Sequence, residues 1–191
     1  LSNIFMTLAW YGHLKFKEDF KFCDMACGRG RHSKYLSQKG FDVTGLDLSK
    51  SNIETAKASE NSHLHFYIHD IRDVFQPECF DVILNLFTSF GYFEDNAENQ
   101  KAVVAMAESL KPGGILVLDY MNSRKAVEEF NVEYQKTVDD IKFDIHKKIE
   151  KGYIYKNIKF EVDADSYKFE ERVKLLFLED FNTSFSASGL E

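Results

Sequence analysis

The chain has 191 residues, a formal net charge of −7, 44% hydrophobic residues and 15% aromatic residues. This apolar content is enough to bury a core, which excludes a globally disordered chain. The acidic balance gives no general attraction to phosphate backbones, so nucleic acid is not expected as a partner. Three cysteines without a C-x-x-C pair, and no apolar run of membrane-spanning length, predict a cytoplasmic protein that does not enter a membrane.

The middle of the chain alternates short apolar runs with amphipathic stretches. The apolar runs predict five strands, at residues 20–25, 41–46, 64–69, 80–87 and 115–120. Helices are predicted between them at residues 31–39, 49–59 and 97–110, with Ser49 as an N-cap and Gly40 as a helix end. This alternation predicts a doubly wound, mostly parallel sheet, whose ligands bind beyond the carboxyl ends of the strands.

The pattern changes after Asn122. Three alternating segments, at residues 142–149, 153–162 and 166–176, predict an antiparallel three-stranded meander. A short helix is predicted at residues 178–186, closed by Gly189. We therefore expect one α/β domain over residues 1–191, with its core at about 20–122 and 178–191 and a β-meander insertion at about 138–176.

The segment that joins the first strand to the first helix reads Cys23-Asp24-Met25-Ala26-Cys27-Gly28-Arg29-Gly30. Small residues let the backbone approach a ligand, and the helix N-terminus behind them offers free N–H groups to a carboxylate or phosphate. The third glycine of the dinucleotide fingerprint G-x-G-x-x-G is missing, and so is the G-K-[ST] of a Walker loop. The spacing thus disfavours a dehydrogenase and a P-loop enzyme.

The loop does match an acidic residue followed by x-small-x-Gly-x-Gly, at Asp24, Ala26, Gly28 and Gly30. This pattern resembles the first motif of the class I S-adenosylmethionine-dependent methyltransferases. The stretch from Leu110 to Asp119, with its Pro-Gly-Gly, is similar to the turn before the fifth strand of that family. The resemblance covers about residues 20–122 and implies a Rossmann-like methyltransferase fold, with S-adenosylmethionine as cofactor and S-adenosylhomocysteine as product.

The predicted strand ends supply the cofactor-binding candidates. Asp47, which ends the second strand, is positioned to accept hydrogen bonds from both ribose hydroxyls or, alternatively, to cap a helix. The resemblance implies that Asp70 and Ile71 contact the adenine amino group and that the end of the fourth strand flanks the methionine part. His32 would touch the cofactor carboxylate or cap its helix. The expected cofactor-binding residues are Asp24, Ala26, Cys27, Gly28, Gly30, His32, Asp47, Leu48, Ser49, Asp70, Ile71, Asn85, Leu86 and Phe87.

The acceptor side is expected to come from the loops above the carboxyl ends and from the N-terminal segment. Its candidates are Tyr11, Phe90, Tyr92, Tyr120 and Asn122, and no catalytic general base is identified. The loop after the fourth strand lacks the N/D-P-P-Y/F sequence of enzymes that methylate amino groups of nucleic acids or protein glutamine, which favours a small-molecule acceptor. No metal is expected, because His65 and His69 would lie about 13 Å apart along a strand.

These features predict methyl transfer to a nitrogen or oxygen of a small molecule by direct in-line displacement. The alternative is a non-catalytic module that binds S-adenosylmethionine or S-adenosylhomocysteine and acts through a protein partner. The meander either roofs an acceptor pocket near Phe90 and Tyr92 or forms a homodimer surface. The sixth and seventh strands of the family would follow Glu191, so either the sheet edge is incomplete or the sequence is less than the native chain.

Overall fold

The computed structural model describes residues 20–130, 132–163 and 165–191. These residues divide into two compact units, one with residues 20–90, 95–120 and 184–191 and the other with residues 91–94, 121–130, 132–163 and 165–183. Within these ranges, no helix has the length and apolar character that crossing a membrane requires. Tyr11, an expected acceptor-side residue, lies outside the described residues.

The first unit is built on a five-stranded sheet in which every pair of neighbouring strands is parallel. Its strands are β1 (Lys21–Met25), β2 (Asp42–Asp47), β3 (Leu64–Ile68), β4 (Phe80–Asn85) and β5 (Leu110–Leu118), in the order β3-β2-β1-β4-β5. Its helices are α1 (Arg31–Gln38), α2 (Lys50–Lys57) and α3 (Asn96–Ser109). The strand order reverses between β1 and β4, so their carboxyl ends form a topological switch point where ligands bind in such sheets. The predicted doubly wound sheet is confirmed.

Buried aromatic and aliphatic side chains hold this sheet together. Phe22, Val43 and Phe66 lie in the main apolar cluster, and β4 is buried along almost its whole length. At Gly45 of β2, a Cβ atom would lie 2.4 Å from Cδ1 of Phe66. A larger residue at position 45 would therefore displace the ring of Phe66 from the core.

The predicted helix boundaries agree closely with the structure. The Ser49 hydroxyl accepts a hydrogen bond from the amide of Asn52, as expected for the N-cap of α2. At the end of α1, the amide of Phe41 donates to the carbonyl of Leu36, which closes the helix next to Gly40. The largest boundary difference in the first unit is at β5, which begins at Leu110 instead of residue 115 and whose pairing with β4 shifts register between Phe80 and Val82.

The second unit contains an antiparallel sheet of four strands. They are β6 (Glu133–Val138), β7 (Ile141–Glu150), β8 (Tyr153–Val162) and β9 (Asp165–Lys174), paired in chain order. Two helices flank the sheet in the sequence: α4 (Ser123–Glu128) and α5 (Leu178–Ala187), whose last residues belong to the first unit. The antiparallel meander is confirmed, but the expected number of three strands is wrong.

The missed strand is β6, an edge strand of polar composition. Five of its six residues are exposed, so its sequence shows no buried alternating face. The turn that follows it does carry a signal, because Asp139 and Asp140 both have left-handed backbone angles, with φ of 49° and 64°. Two such residues form the tight turn typical of β-hairpins, in which aspartate is favoured.

Candidate functional site

The loop from β1 to α1 is tied to the end of β2 by backbone hydrogen bonds. The amide of Cys27 donates to the carbonyl of Leu46 over 2.9 Å, and the amide of Gly28 donates to Oδ2 of Asp47 over 2.8 Å. The structure therefore brings together the glycine loop and Asp47, which the sequence analysis selected separately. The side chain of Cys27 packs in the apolar core, so this residue can face a ligand only through its backbone.

The two loop glycines have left-handed backbones but different surroundings. A Cβ atom on Gly28, whose φ is 57°, would have no atom within 4 Å. On Gly30, whose φ is 75°, it would lie 2.5 Å from Cζ of Phe66. Gly28 thus leaves open space beside the loop where a ligand can approach the backbone, whereas Gly30 allows the helix to pack against the core.

Asp24, at the carboxyl side of β1, is only 1% exposed and holds the first turn of α1. Its Oδ2 accepts hydrogen bonds from the amide of Ser33 over 3.1 Å and from the Ser33 hydroxyl over 2.6 Å. Burial raises the pKa of Asp24 from 3.8 to about 6, although both hydrogen bonds from Ser33 oppose this shift. Asp24 therefore positions the loop from inside the fold.

Ser33 was missed by the sequence analysis, although a signal for it exists. The N-cap of α1 is Gly30, which has no side chain to accept a hydrogen bond from the first-turn amides. Those amides need an acceptor from elsewhere, and the nearest acidic residue before the loop is Asp24.

The first turn of α1 also carries a stacked group of side chains. The ring of His32 stacks on the ring of Phe87 with centroids 5.0 Å apart, and the guanidinium of Arg31 lies 4.0 Å from the centroid of Phe87. Burial, and then the charge of Arg31, lower the pKa of His32 from 6.5 to about 4. His32 is therefore neutral at neutral pH, and Arg31 supplies the positive charge at this helix end.

Asp47 has hydrogen-bond partners on both carboxylate oxygens. Oδ2 accepts from Gly28, and Oδ1 accepts from the amide of Ser49 over 2.9 Å. Oδ1 also accepts from Nδ2 of Asn52 over 3.4 Å, whereas Oδ2 can accept a second hydrogen bond, so the carboxylate keeps capacity for a ligand hydroxyl on that oxygen. The next residue, Leu48, is 68% exposed and places an apolar side chain beside the carboxylate.

Asp70, beyond the end of β3, forms a two-point ion pair with Arg72. The Nε and Nη2 atoms of Arg72 donate to the two carboxylate oxygens over 2.9 Å and 2.6 Å, and Nη1 of Arg72 donates to Glu98 of α3. These hydrogen bonds lower the pKa of Asp70 from 3.8 to about 2, so the carboxylate is ionised at neutral pH. The adjacent Ile71 is half-buried. The expected contact of Asp70 and Ile71 with the adenine amino group stays a prediction.

The end of β4 is held from both sides. Asn85 is fully buried, and its Nδ2 donates to the carbonyl of Met25 over 3.1 Å. Leu86 is buried in the core, whereas Phe87 is 43% exposed and has a left-handed φ of 60°. The amide of Phe87 donates to Oδ2 of Asp119 over 3.1 Å. Sequence analysis missed Asp119, which follows β5 next to the end of β4.

The described acceptor-side candidates are divided between the two units. Phe90, which is buried, and Tyr120 belong to the first unit, while Tyr92 and Asn122 belong to the second. Asn122 is the N-cap of α4, because its Oδ1 accepts from the amide of Lys125 over 3.1 Å. Burial and the charge of Glu171 raise the pKa of Tyr92, which leaves its phenol protonated at neutral pH. The acceptor roles stay predictions.

Metal-ligating side chains do not gather in the part of the chain that the structure describes. No group of three or more His, Cys, Asp or Glu residues within it is arranged to hold an ion. The described site offers a ligand backbone amides, the carboxylate of Asp47 and the charge of Arg31.

Comparisons with known proteins agree on one family. A methyltransferase domain model matches residues 22–114. The chain is 34% identical over 97 residues to dTDP-3-amino-3,4,6-trideoxy-alpha-D-glucopyranose N,N-dimethyltransferase of Streptomyces venezuelae, a match that covers 50% of this chain and 40% of that relative. The chain thus spans less than half the length of this curated relative.

Two solved structures share the fold over nearly the whole chain. An S-adenosylmethionine-dependent methyltransferase of Clostridium acetobutylicum has a TM-score of 0.81 at 20% identity, covering 97% of this chain and 78% of its own. An amino pentose methyltransferase of Micromonospora echinaspora, solved with S-adenosylmethionine bound, has a TM-score of 0.77 at 21% identity, covering 98% and 82%. Residues 22–114 thus match a methyltransferase domain, and the chain shares the fold of these S-adenosylmethionine-dependent methyltransferases.

Proposed function

We propose that this chain binds S-adenosylmethionine at the β1–α1 loop and transfers its methyl group to a nitrogen or oxygen of a small molecule by direct in-line displacement. The observation that carries the proposal is the open space at Gly28. It lies at the switch point of the sheet, beside the Asp47 carboxylate and the first turn of α1.

The side chains around this space fit the parts of the cofactor. The positive end of α1 and the guanidinium of Arg31 suit a carboxylate. Asp47 can accept hydrogen bonds from ribose hydroxyls, and the exposed Leu48 offers an apolar surface to a flat base. The residues present therefore match a ligand that carries a carboxylate, two hydroxyls and a base.

The cofactor supplies an activated methyl group on a sulfonium. The chain has to fix the orientation of donor and acceptor and to exclude water, which can contribute ~7–11 kcal/mol to lowering a barrier in favourable cases. A general base is needed only if the acceptor is protonated at the working pH.

We propose an amine-bearing sugar as the first acceptor class to be screened. Support comes from the printed names of the relatives, one of which methylates a dTDP-amino sugar and another an amino pentose. The net charge of −7 supports a small molecule over a nucleic acid, because the chain lacks an excess of basic residues.

Calorimetric titration with S-adenosylhomocysteine and with NAD tests the cofactor assignment. We expect S-adenosylhomocysteine to bind and NAD not to bind. Gly28→Leu should weaken S-adenosylhomocysteine binding more than ~100-fold, because the side chain would fill the open space. A matched control is Gly113→Leu, since Gly113 also has a left-handed backbone, with φ of 77°, and open space around it. Both variants should lose about 1–2 kcal/mol of stability through backbone strain, but only the first should lose binding.

A methyl-transfer screen tests the activity. The full chain with labelled S-adenosylmethionine should methylate a member of an amino-sugar or small-phenol panel at a rate that Gly28→Leu abolishes. Binding of S-adenosylhomocysteine without transfer to any panel member, together with capture of a protein partner that depends on the cofactor, would instead establish the non-catalytic module.

We also propose the second sheet as a homodimer surface. One face carries an aromatic group in which Phe160 contacts Phe143, Tyr167 and Phe169, with centroids 4.8, 5.2 and 5.9 Å apart. Phe169 is 55% exposed, so part of this apolar face remains accessible. Phe169→Glu should shift the mass measured by light scattering towards the monomer. Lys168→Glu, on the opposite face of the same strand, should leave the mass unchanged.

We propose the cytoplasm as the compartment of the protein. Cys23, Cys27 and Cys79 are all free thiols, and burial raises the pKa of Cys23 well above its usual value. Buried free thiols without disulfides are typical of proteins in a reducing environment. Fractionation of cells that express the protein at native level should recover it with the cytoplasmic markers.

A further inference from the structure

Asp119, directly after β5, binds the loop that follows β4 through both its backbone and its side chain. Its amide donates to the carbonyl of Asn85 over 2.8 Å, and its carbonyl accepts from the amide of Thr88 over 3.1 Å. Its Oδ2 accepts from the amide of Phe87 over 3.1 Å. Three hydrogen bonds thus hold the last residue of β4 and two residues of the loop that follows it.

The loop needs such support because its backbone is strained. Phe87 and Thr88 have φ of 60° and 53°, in the left-handed region that non-glycine residues avoid. Consecutive strained residues persist only where their surroundings over-determine them, and such residues cluster at functional sites. Oδ2 of Asp119 is the acceptor that holds the amide of Phe87 in this conformation.

The strained conformation gives Phe87 its place against α1. Its ring stacks on His32 and lies under the guanidinium of Arg31, at the helix end where we place the cofactor carboxylate. Without the hydrogen bond to Asp119, Phe87 could relax to a negative φ, which would move its ring away from His32. Arg31 would then lose the aromatic face that orients its charge.

We propose that Asp119 is a positioning residue for the cofactor, which acts through Phe87 and Arg31 to complete the wall at the first turn of α1. The inference rests on the function proposed above and adds to it a residue outside the glycine loop, directly after β5. Asp119→Ala should weaken S-adenosylhomocysteine binding about tenfold and raise the cofactor KM, with a smaller change in kcat.

A matched carboxylate near the amino end of β4 distinguishes an effect on cofactor positioning from an effect on the stability of the fold. Oδ2 of Asp81, at the start of β4, accepts from the amide of Lys21 over 2.9 Å and from Nζ of Lys111 over 2.7 Å, so it also joins neighbouring strands. Asp81→Ala should lower the melting temperature but leave the affinity for S-adenosylhomocysteine unchanged. Asp119→Asn, which keeps an acceptor oxygen, should bind within about threefold of wild type.

A double-mutant cycle tests whether Asp119 acts through Phe87. Phe87→Gly removes the ring but tolerates the left-handed backbone, so the loop should stay folded. If the proposal holds, Phe87→Gly should also weaken binding about tenfold, and adding Asp119→Ala should weaken it no further. Multiplied losses in the double variant would overturn the proposal, as would wild-type affinity in Asp119→Ala.

The outcomes separate this inference from the proposed function. Failure of the wild-type chain to bind S-adenosylhomocysteine would refute both. Binding by the wild type with no effect of Asp119→Ala or Phe87→Gly would refute only the role of Asp119. A fall in melting temperature with unchanged affinity, as expected for Asp81→Ala, would mark Asp119 as purely structural. If Asp119→Ala does not fold, unchanged affinity in Phe87→Gly by itself overturns the proposal.

Discussion

The parallel and the antiparallel sheet bury their strands to different extents. In the parallel sheet, β1 and β4 consist mostly of buried residues, and Phe66 of β3 is fully buried. In the described strands of the antiparallel sheet, Ile145 is the one buried residue. The strands of a sheet covered on both faces have continuous apolar sequences, whereas the strands of a sheet with one apolar face alternate between apolar and polar residues.

Because of this difference, the parallel sheet can hold site residues in fixed positions, whereas the antiparallel sheet can tolerate changes of sequence. The glycine loop, Asp47 and the β4 loop are all fixed to strands whose side chains are packed at core density. Residues on the antiparallel sheet have fewer packed neighbours, so substitutions there should change stability less. The predictions below test this contrast.

The largest effect is expected at Phe66. Phe66→Ala would leave a cavity against Gly30 and Gly45, whose missing side chains make room for the ring. We expect a loss of roughly 3–5 kcal/mol in the free energy of unfolding by urea. The loop would also lose its support, so S-adenosylhomocysteine affinity should fall. A loss below about 1 kcal/mol would show that the parallel sheet is not packed around this ring.

The second effect concerns the buried carboxylate of Asp24, whose pKa is raised from 3.8 to about 6. The folded state therefore binds more protons than the unfolded state between these two values, and the stability contributed by Asp24 falls as pH rises through that window. Ionised Asp24 should destabilise the fold by about 3 kcal/mol at neutral pH. Asp24→Asn should remove this pH dependence.

Urea unfolding of wild type and Asp24→Asn from about pH 4 to pH 8 measures that effect. The stability advantage of the variant should grow through the window and level off above about pH 6.5. Equal pH dependence in the two proteins would mean that Asp24 ionises in the folded state at its ordinary pKa.

The third effect is expected in binding. Asp47→Ala should weaken S-adenosylhomocysteine binding by ~1.5–3 kcal/mol, the net contribution of a hydrogen bond to a charged group. The variant also loses the acceptor for the amide of Gly28. Asp42→Ala, at the opposite end of the same strand, is the control and should bind as wild type does. Wild-type affinity in Asp47→Ala would limit Asp47 to holding the loop and the start of α2.

The smallest effect is expected in the antiparallel sheet. Phe160→Ala removes a half-buried ring from its aromatic neighbours, so thermal unfolding should show a loss of about 1 kcal/mol. The affinity for S-adenosylhomocysteine should stay at the wild-type value. A loss as large as that of Phe66→Ala would show that the two sheets are equally important to stability.

Most of the first unit could be predicted because its elements are marked locally. Apolar runs locate β1 to β4, and Ser49 and Gly40 mark helix ends. The polar edge strand β6 and the six-residue helix α4 were missed, because β6 has no apolar run and α4 is short, although the Asp139-Asp140 turn and the N-cap Asn122 mark their ends. Their formation depends on partners that the local sequence does not show.

The site was predictable where it depends on neighbouring strand ends. Gly28 follows β1 and Asp47 ends β2, and these strands are adjacent in the sheet, so the contact between the two residues follows from the strand order. Ser33 and Asp119 were missed because their roles are hydrogen bonds to partners 9 and 32 residues away. No spacing rule links these positions.

The sequence by itself determined the alternation of strands and helices, the glycine loop and the acid at the end of β2, because each is encoded in a few consecutive residues. Only the tertiary structure decided that Gly28 faces open space while Gly30 faces Phe66, and that Asp119 holds Phe87 in a strained conformation. Both depend on which atoms the packed sheet places side by side. Local composition cannot specify that arrangement, because it arises from the close packing of residues distant in the chain.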